Sequence, residues 1–111
     1  MTLDDYQQLA ARTIRPGRPA DQALANWALG LTGEAGEVAE HVKKHLFHGG
    51  PLDRAAVVKE LGDILWYVAA MAGAVGVSLD EIGETNIEKL RRRYPEGFEE
   101  HRSLNRAADD R

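Results

Sequence analysis

Two pairs of carboxylates occur at helical spacing in the sequence. Glu34 and Glu37 are three residues apart, and so are Glu60 and Asp63 in the next apolar segment. Residues three apart lie on the same face of a helix, so each pair would present neighbouring carboxylates. Like charges one turn apart repel each other, and gathering both pairs would cost more unless a cation lay between them. The spacing therefore predicts a site for a hard, oxygen-preferring cation, Mg²⁺ or alternatively Mn²⁺.

The same carboxylates would also suit two solvated rows of ion pairs, with Lys44 and Lys59 as partners. Two features favour the metal site. Helical periodicity places both pairs at the border of the core, and a later helix carries a polar and basic row formed by Asn86, Lys89 and Arg93. Such a row can bind phosphate oxygens, although an ordinary solvated face would have the same composition.

Three histidines follow the first acidic pair. His41, His45 and His48 have a spacing that can hold zinc, but half-buried or surface histidine is the commoner state, and His48 could instead contact a substrate. A carboxylate di-iron bundle needs a Glu-x-x-His pair on two helices. No histidine in this chain follows a glutamate by three residues. Phosphate-binding P-loops and Gly-x-Ser-x-Gly elbows are also missing from the sequence.

Composition limits the classes of protein. The chain has 111 residues, a net charge of -4, 43% hydrophobic residues and no cysteine, which predicts one domain without disulfides or thiolate sites. We expect a cytoplasmic protein, because the acidic N-terminus does not resemble a signal peptide. Without an extended basic patch or an apolar run of about 20 residues, we expect neither duplex nucleic acid nor a membrane as a partner. The predicted domain covers residues 1–98, followed by a charged tail at 99–111.

Capping residues and apolar periodicity predict an all-α protein with four helices. The first is capped by Thr2 and ends near Thr13, and the second runs from about Asp21 to about Phe47. The third is capped by Asp53 and ends near Gly76. Ser78 begins the fourth, which ends near Tyr94.

The two central helices should pack through apolar stripes that the acidic pairs border. The predicted stripe of the second helix is Leu24, Ala28, Leu31, Ala35, Val38, Val42 and Leu46. The predicted stripe of the third helix is Val57, Leu61, Ile64, Leu65, Val68, Ala72 and Val75. Gly30, Gly33 and Gly36 lower helix propensity, so each marks either close helix packing or the approach of a ligand.

The third helix carries no charge on any face from residue 64 to residue 77. A helix that is apolar all round is buried all round, and so short a chain has little material to cover both of its sides. We therefore expect Trp66, Ala69, Ala70 and Gly73 to contact a second copy. The predicted architecture is a four-helix bundle completed by homo-oligomerisation, with a two-fold dimer as the minimum.

Three motifs in order carry a family resemblance. A Glu-x-x-Glu motif in 33–37 with Lys44, a Glu-x-x-Asp motif at 60–63 and the segment 86–95 together resemble the MazG-like family of all-α nucleoside triphosphate pyrophosphohydrolases. The resemblance extends from about residue 5 to residue 98. It implies a Mg²⁺-dependent oligomer that cleaves nucleoside triphosphates between the α and β phosphates, yielding the monophosphate and pyrophosphate as a house-cleaning activity on the nucleotide pool.

The resemblance also implies roles for individual residues. The metal positions match Glu34, Glu37, Glu60 and Asp63, and crowding of these carboxylates makes Glu34 or Glu37 a candidate general base. The positions that would neutralise phosphate match Lys44, Lys89 and Arg93. Those that would orient the nucleotide match Asn86 and Tyr67. We add Trp27 as a platform for base stacking, with a core tryptophan as the alternative.

Two alternatives to the broad activity stay open. One is a narrower pyrophosphohydrolase of the same superfamily, selective for dUTP or for phosphoribosyl-ATP. The other is a catalytically silent helical adaptor, against which the retention of every acidic position argues.

Overall fold

A computed structural model describes residues 1–105 of the chain. Its elements are α1 (Leu3–Ala11), α2 (Ala20–His48), α3 (Arg54–Ala74), α4 (Leu79–Arg93) and α5 (Glu100–Leu104). The described residues contain no strand and only one isolated bridge, between Pro95 and Gly97. The all-α prediction is confirmed. The short helix α5 lies within the predicted tail, and the rest of that tail, 106–111, lies outside the described residues.

Two predicted helix starts are confirmed by their caps. The Thr2 hydroxyl accepts a hydrogen bond from the Asp5 amide at 3.0 Å, and the Asp5 carboxylate accepts one from the Thr2 amide at 3.1 Å. The Asp53 carboxylate accepts from the Ala56 amide at 3.0 Å. Each cap satisfies an amide that the first turn of a helix leaves unpaired.

The long helices α2 and α3 pack along each other around an aromatic cluster of Trp27, Trp66 and Tyr67. The Trp27 and Trp66 rings meet edge to face with centroids 5.3 Å apart, and the Trp66 and Tyr67 rings do so at 5.0 Å. A Cβ atom at Gly30 would overlap the Tyr67 ring, so this glycine permits close helix packing. A Cβ atom at Gly33 or Gly36 would meet no atom of the described residues within 4 Å.

The predicted core stripe of α2 is partly wrong. Leu31 and Val38 are half-buried, but Leu24 and Val42 lie at the surface and the Leu46 side chain is 64% exposed. The inward face instead includes positions beside this stripe, of which Trp27 is only 5% exposed. Because the large Trp27 ring is buried and the Tyr67 ring packs on Gly30, the side of α2 that carries Trp27 and Gly30 faces α3.

Most of the predicted stripe of α3 is confirmed, with two exceptions. Val57, Ile64, Leu65 and Val68 are half-buried and Ala72 is buried. Leu61 and Val75 are instead exposed.

The face of α3 that was expected to contact a second copy lies largely against α1 of the same chain. Ala69 and Ala70 are buried, Tyr6 packs on the core around Ala69, and the Trp66 indole nitrogen donates to the Thr13 hydroxyl at 2.7 Å. Gly73 is exposed. The expectation for Ala69 and Ala70 is therefore wrong, because α1 helps to bury them within the chain. Contacts of the half-buried Trp66 and the exposed Gly73 with a second copy stay a prediction.

Gln7 ties α1 to the connection between α3 and α4. Its side-chain nitrogen donates to the Val77 carbonyl at 3.2 Å and to the Ala69 carbonyl at 3.4 Å. Its side-chain oxygen accepts from the Leu79 amide at 2.8 Å. The side-chain amide of Gln7 thus forms hydrogen bonds with backbone groups of α3 and of the turn that follows it.

The chain forms two compact units, Met1–Leu79 and the part that begins at Asp80. In the second unit, the Tyr94 and Phe98 rings are 5.3 Å apart and the Arg93 guanidinium lies 5.7 Å from the centre of the Tyr94 ring. The predicted boundary between residues 98 and 99 stays a prediction. No single helix among residues 1–105 is long and apolar enough to cross a membrane. Only α3 and α4 taken together, as a pair bent at the break between them, meet the criteria of length and composition.

Candidate active site

Three carboxylates from the two long helices meet in the first unit. One oxygen from each of Glu34, Glu60 and Asp63 lies within 4.8 Å of the others. Glu34 and Glu60 are half-buried and Asp63 is exposed, so the group borders solvent. We call these three residues the acidic triad.

The packing of α2 on α3 explains this convergence. The two helices are joined by a short loop and run antiparallel, so one turn forward on α2 corresponds to one turn back on α3. Tyr67 seats on Gly30. One turn beyond that contact, Glu34 on α2 comes opposite Asp63 on α3, with Glu60 on the turn before. The close approach at Gly30 therefore sets the register of the triad.

The pKa of Glu34 is raised above its ordinary value of 4.5. The largest cause is a side-chain hydrogen bond with Glu60, followed by desolvation and then by the negative charges of Asp63, Glu60 and Glu37. Each of these favours the protonated carboxyl. In the absence of a cation, the crowding of the triad thus raises the proton affinity of Glu34.

Glu37 is exposed and does not belong to the triad. It lies one turn after Glu34 on α2, close enough for its charge to raise the pKa of Glu34. The structure therefore brings together three of the four predicted metal ligands and leaves the fourth beside them.

The lysine partners required by the ion-pair interpretation are not in place. Among residues 1–105, His41 is the only group within 4.0 Å ion-pairing distance of the four predicted ligands, with 3.7 Å between its Nε2 and Glu60 Oε1. Lys44 and Lys59 are both exposed, and neither forms an ion pair with a described residue. The carboxylates are therefore gathered without the neutralising lysines that a solvated row would have.

The donor set of the triad fits a hard divalent cation. All three atoms are carboxylate oxygens, the ligand type that Mg²⁺ and Mn²⁺ prefer. An octahedral Mg²⁺ at about 2.1 Å from its ligands separates adjacent oxygens by about 3.0 Å and opposite ones by about 4.2 Å. The triad oxygens, all within 4.8 Å of one another, are close to that range.

The remaining predicted residues of the first unit are placed differently. The Tyr67 ring lies one turn from Asp63 and packs on α2. Trp27 is buried against Trp66 and Tyr67, which corresponds to the core alternative. This burial favours the core alternative, and the base-stacking role of Trp27 stays a prediction.

The predicted phosphate-binding row lies on α4 in the second unit. Asn86 is exposed, while Lys89 and Arg93 are half-buried, and the Arg93 guanidinium lies near the Tyr94 ring. The roles of these three residues stay predictions.

Two of the histidines have partners that explain their positions. His45 Nδ1 hydrogen-bonds the Gly50 carbonyl at 2.8 Å and so fixes the loop after α2. His41 faces Glu60, and His48 is exposed. Within residues 1–105, the acidic triad is the one group of three such ligands, so the predicted zinc alternative has no counterpart there.

Tyr6 is a neighbour of the site that the sequence did not reveal. Its pKa is raised, first by burial and then by the negative charge of Asp63. In the sequence Tyr6 is one member of the apolar stripe of α1. Its proximity to Asp63 results from the packing of α1 on α3, and no local sequence motif predicts that packing.

The model of the MazG nucleotide pyrophosphohydrolase domain matches residues 22–98, most of the chain. The chain belongs to this family. The match includes both acidic motifs, all but the first two residues of α2, and the whole of α3 and α4.

Individual relatives agree with this assignment. The chain is 37% identical over 105 residues to the Gene 37 protein of Mycobacterium phage L5, covering 87% of this chain and 92% of that protein. It is 28% identical over 107 residues to a phosphoribosyl-ATP pyrophosphatase of Azorhizobium caulinodans, covering 96% and 95%. It is 40% identical over 102 residues to dCTP pyrophosphatase 1 of Bos taurus, covering 85% of this chain and 60% of that enzyme. No solved structure matched the chain significantly.

The MazG assignment confirms the family resemblance and the enzyme class. The chain is a nucleotide pyrophosphohydrolase of the all-α superfamily to which the phosphoribosyl-ATP and dCTP pyrophosphatases belong.

Proposed function

We propose that the chain hydrolyses nucleoside triphosphates to the nucleoside monophosphate and pyrophosphate, with Mg²⁺ bound at the acidic triad. In this reaction the oxygen of a water molecule forms a bond to phosphorus, the bridging bond between the α and β phosphates breaks, and pyrophosphate leaves. The observation that supports it is the convergence of the Glu34, Glu60 and Asp63 oxygens within 4.8 Å.

The triad would hold the ion, and Glu37, one turn away, would add a fourth carboxylate by a change of rotamer. A bound Mg²⁺ would supply charge stabilisation for the phosphate oxygens and acidify a coordinated water. Through the ion, Glu34, Glu60 and Asp63 would hold a water molecule close to the α phosphate, and such proximity is a condition for in-line attack.

The proton of the attacking water needs an acceptor. Glu34 and Glu37 are the candidates, as the crowding of carboxylates at this point predicts. The raised pKa of Glu34 shows that its carboxylate has an increased proton affinity when the neighbouring charges are not neutralised.

The substrate's remaining charges need basic partners. We propose that Lys44, Lys89 and Arg93 neutralise phosphate oxygens and that Asn86 and Tyr67 orient the nucleotide. Support for these assignments comes from the family resemblance at each position and from the basic row along α4. The nucleotide-pool role of such an enzyme would place it in the cytoplasm.

The test of this activity is pyrophosphate release from a panel of nucleotides with and without Mg²⁺. We expect Asp63→Asn and Glu37→Gln to lose turnover by a factor of about 100 or more while far-UV circular dichroism stays unchanged. Glu40→Gln, at an exposed position outside the triad on the same helix, is the matched control and should retain activity. Full activity of the Asp63→Asn variant would refute the proposal.

The panel also decides between broad and narrow substrate selection. The names of the relatives point to dCTP and phosphoribosyl-ATP, and the superfamily also contains dUTP-selective enzymes, so all three nucleotides belong in the panel. A single accepted substrate would support a narrower pyrophosphohydrolase. Absence of both turnover and Mg²⁺ binding by calorimetry would support the silent adaptor.

We further propose that the chain associates with itself, as a dimer or a larger oligomer. Support comes from apolar side chains that the single chain leaves uncovered, among them Leu29 at 73%, Val58 at 66% and Leu61 at 51% exposure. Exposed apolar groups of this size favour burial at an interface. Sedimentation velocity measures the state directly, and a concentration-independent monomer would contradict the proposal.

A further inference from the structure

His41 occupies a position next to the acidic triad that the proposed chemistry does not use. It follows Glu37 by one helical turn and Glu34 by two, so it continues the same row of α2. Its Nε2 lies 3.7 Å from Glu60 Oε1, and the two side chains are only 25% and 20% exposed. The contact is therefore partly shielded from water.

Glu60 is contacted from two directions by α2. Glu34 reaches it through a side-chain hydrogen bond, and His41 approaches it from a point seven residues further along the helix. Seven residues correspond to about 10.5 Å of helix length, so the Glu60 carboxylate extends into the space between these two positions. Its orientation is consequently set by both neighbours and not by its own rotamer alone.

Glu60 is also the one triad member with a nitrogen partner. Among residues 1–105, neither Glu34 nor Asp63 has a basic group within ion-pairing distance. An imidazole N–H can bind one carboxylate oxygen while the other oxygen stays available to a cation. The 3.7 Å contact is an ion-pair distance and longer than a hydrogen bond. Outer partners of this kind commonly orient carboxylates that bind metals.

The other two histidines of α2 cannot take this place. His45 Nδ1 is occupied by the Gly50 carbonyl at 2.8 Å, and His48 is exposed at the end of the helix. His41 is thus the member of the row that faces α3 at the triad.

We propose that His41 is a positioning residue that holds the Glu60 carboxylate toward Glu34 and Asp63 and thereby increases the affinity of the triad for a divalent cation. This inference rests on the proposed function. It assigns His41 neither to the metal ion nor to the substrate, in contrast to both uses that the sequence left open for the histidines.

The experiment measures Mn²⁺ binding to the full nucleotide-free chain by electron paramagnetic resonance. The variants are His41→Gln, which keeps a nitrogen donor at nearly the same reach, His41→Asn, which shortens that reach, and His41→Leu, which removes the donor. We expect the Leu and Asn variants to weaken Mn²⁺ binding about 10- to 100-fold and the Gln variant to stay within a few-fold of the original chain. His48→Leu, an exposed histidine of the same helix, is the matched control and should bind Mn²⁺ unchanged.

Steady-state kinetics give a second readout. Loss of positioning should raise the Mg²⁺ concentration required for half-maximal turnover and leave kcat at saturating Mg²⁺ within a few-fold. A purely structural role would not separate Gln from Asn. If His41→Leu fails to fold, the comparison of Mn²⁺ binding between His41→Gln and His41→Asn tests the inference.

Mn²⁺ binding by His41→Asn equal to that of the original chain would overturn the inference and leave the proposed function standing. An original chain that binds no Mn²⁺ at all would instead overturn the metal chemistry of the proposed function, and this inference with it.

Discussion

The Glu34 carboxyl is hydrogen-bonded to the Glu60 carboxylate across the contact between α2 and α3. Two acidic side chains can share a hydrogen bond only while one of them keeps its proton. A proton and the proposed divalent cation would therefore compete for the same oxygens.

This competition predicts how stability depends on pH in the metal-free protein. The pKa of Glu34 is raised in the folded state, so above its ordinary value of 4.5 the unfolded chain loses its proton before the folded chain does. The free energy of unfolding should then fall as pH rises from about 4.5 through the folded pKa. Urea denaturation in EDTA at a series of pH values measures this slope.

Replacement of Glu34 by Gln should flatten that slope and stabilise the metal-free protein at neutral pH, because the amide mimics the protonated carboxyl. Glu40→Gln is the control and should keep the original slope. An unchanged slope in Glu34→Gln would contradict the shared proton.

The glycines of α2 should respond differently to alanine. Gly30→Ala places a methyl group on the Tyr67 ring, so overpacking of about 1–3 kcal/mol should outweigh the gain in helix propensity of about 1 kcal/mol. Gly36→Ala, with no described atom within 4 Å, should gain stability instead. Thermal denaturation compares the two variants, and equal stabilisation of both would be inconsistent with the close approach at Tyr67.

Gln7 should contribute much more to stability than its neighbour Gln8. Gln7→Ala leaves the Leu79 amide and the Val77 carbonyl without their partner, at a cost of about 1–3 kcal/mol. Gln8 is exposed, so Gln8→Ala should change the free energy of unfolding by less than about 0.5 kcal/mol. Denaturant titration distinguishes them; similar values for both variants would show that the Gln7 contacts do not form in solution.

The hydrogen bond from Trp66 to Thr13 can be isolated by a double-mutant cycle. Thr13→Val, Trp66→Phe and the double variant should give a coupling energy of about 0.5–1.5 kcal/mol. Thr13 also donates to the Ala10 carbonyl at 2.6 Å, and that contribution cancels in the cycle. Additive effects would mean that α1 docks without this bond.

Local signals in the sequence were sufficient to locate the four main helices. Thr2 and Asp53 are capping residues, and the glycines and prolines of the loops fall where the helices stop, so the predicted ends agree with the structure within two residues. The spacing of Glu34, Glu60 and Asp63 also predicted their convergence, since both helices had to turn those positions toward the same border.

Long-range packing could not be predicted in the same way. The inward stripe of α2 was predicted from its aliphatic residues. In the structure, the burial of Trp27 and the packing of Tyr67 on Gly30 determine which side faces inward. The cover of Ala69 and Ala70 by α1 depends on a contact between residues more than sixty positions apart, such as Gln7 and Ala69. Neither helical periodicity nor a motif contains that information.

The chain has only two tryptophans, and both belong to the aromatic cluster, with ring centroids 5.3 Å apart. Intrinsic fluorescence and near-ultraviolet dichroism will therefore be dominated by a single location, where one indole comes from each long helix. The tryptophan signal will therefore report whether α2 and α3 are packed together. Structural changes confined to the chain beyond Asp80 will change this signal little.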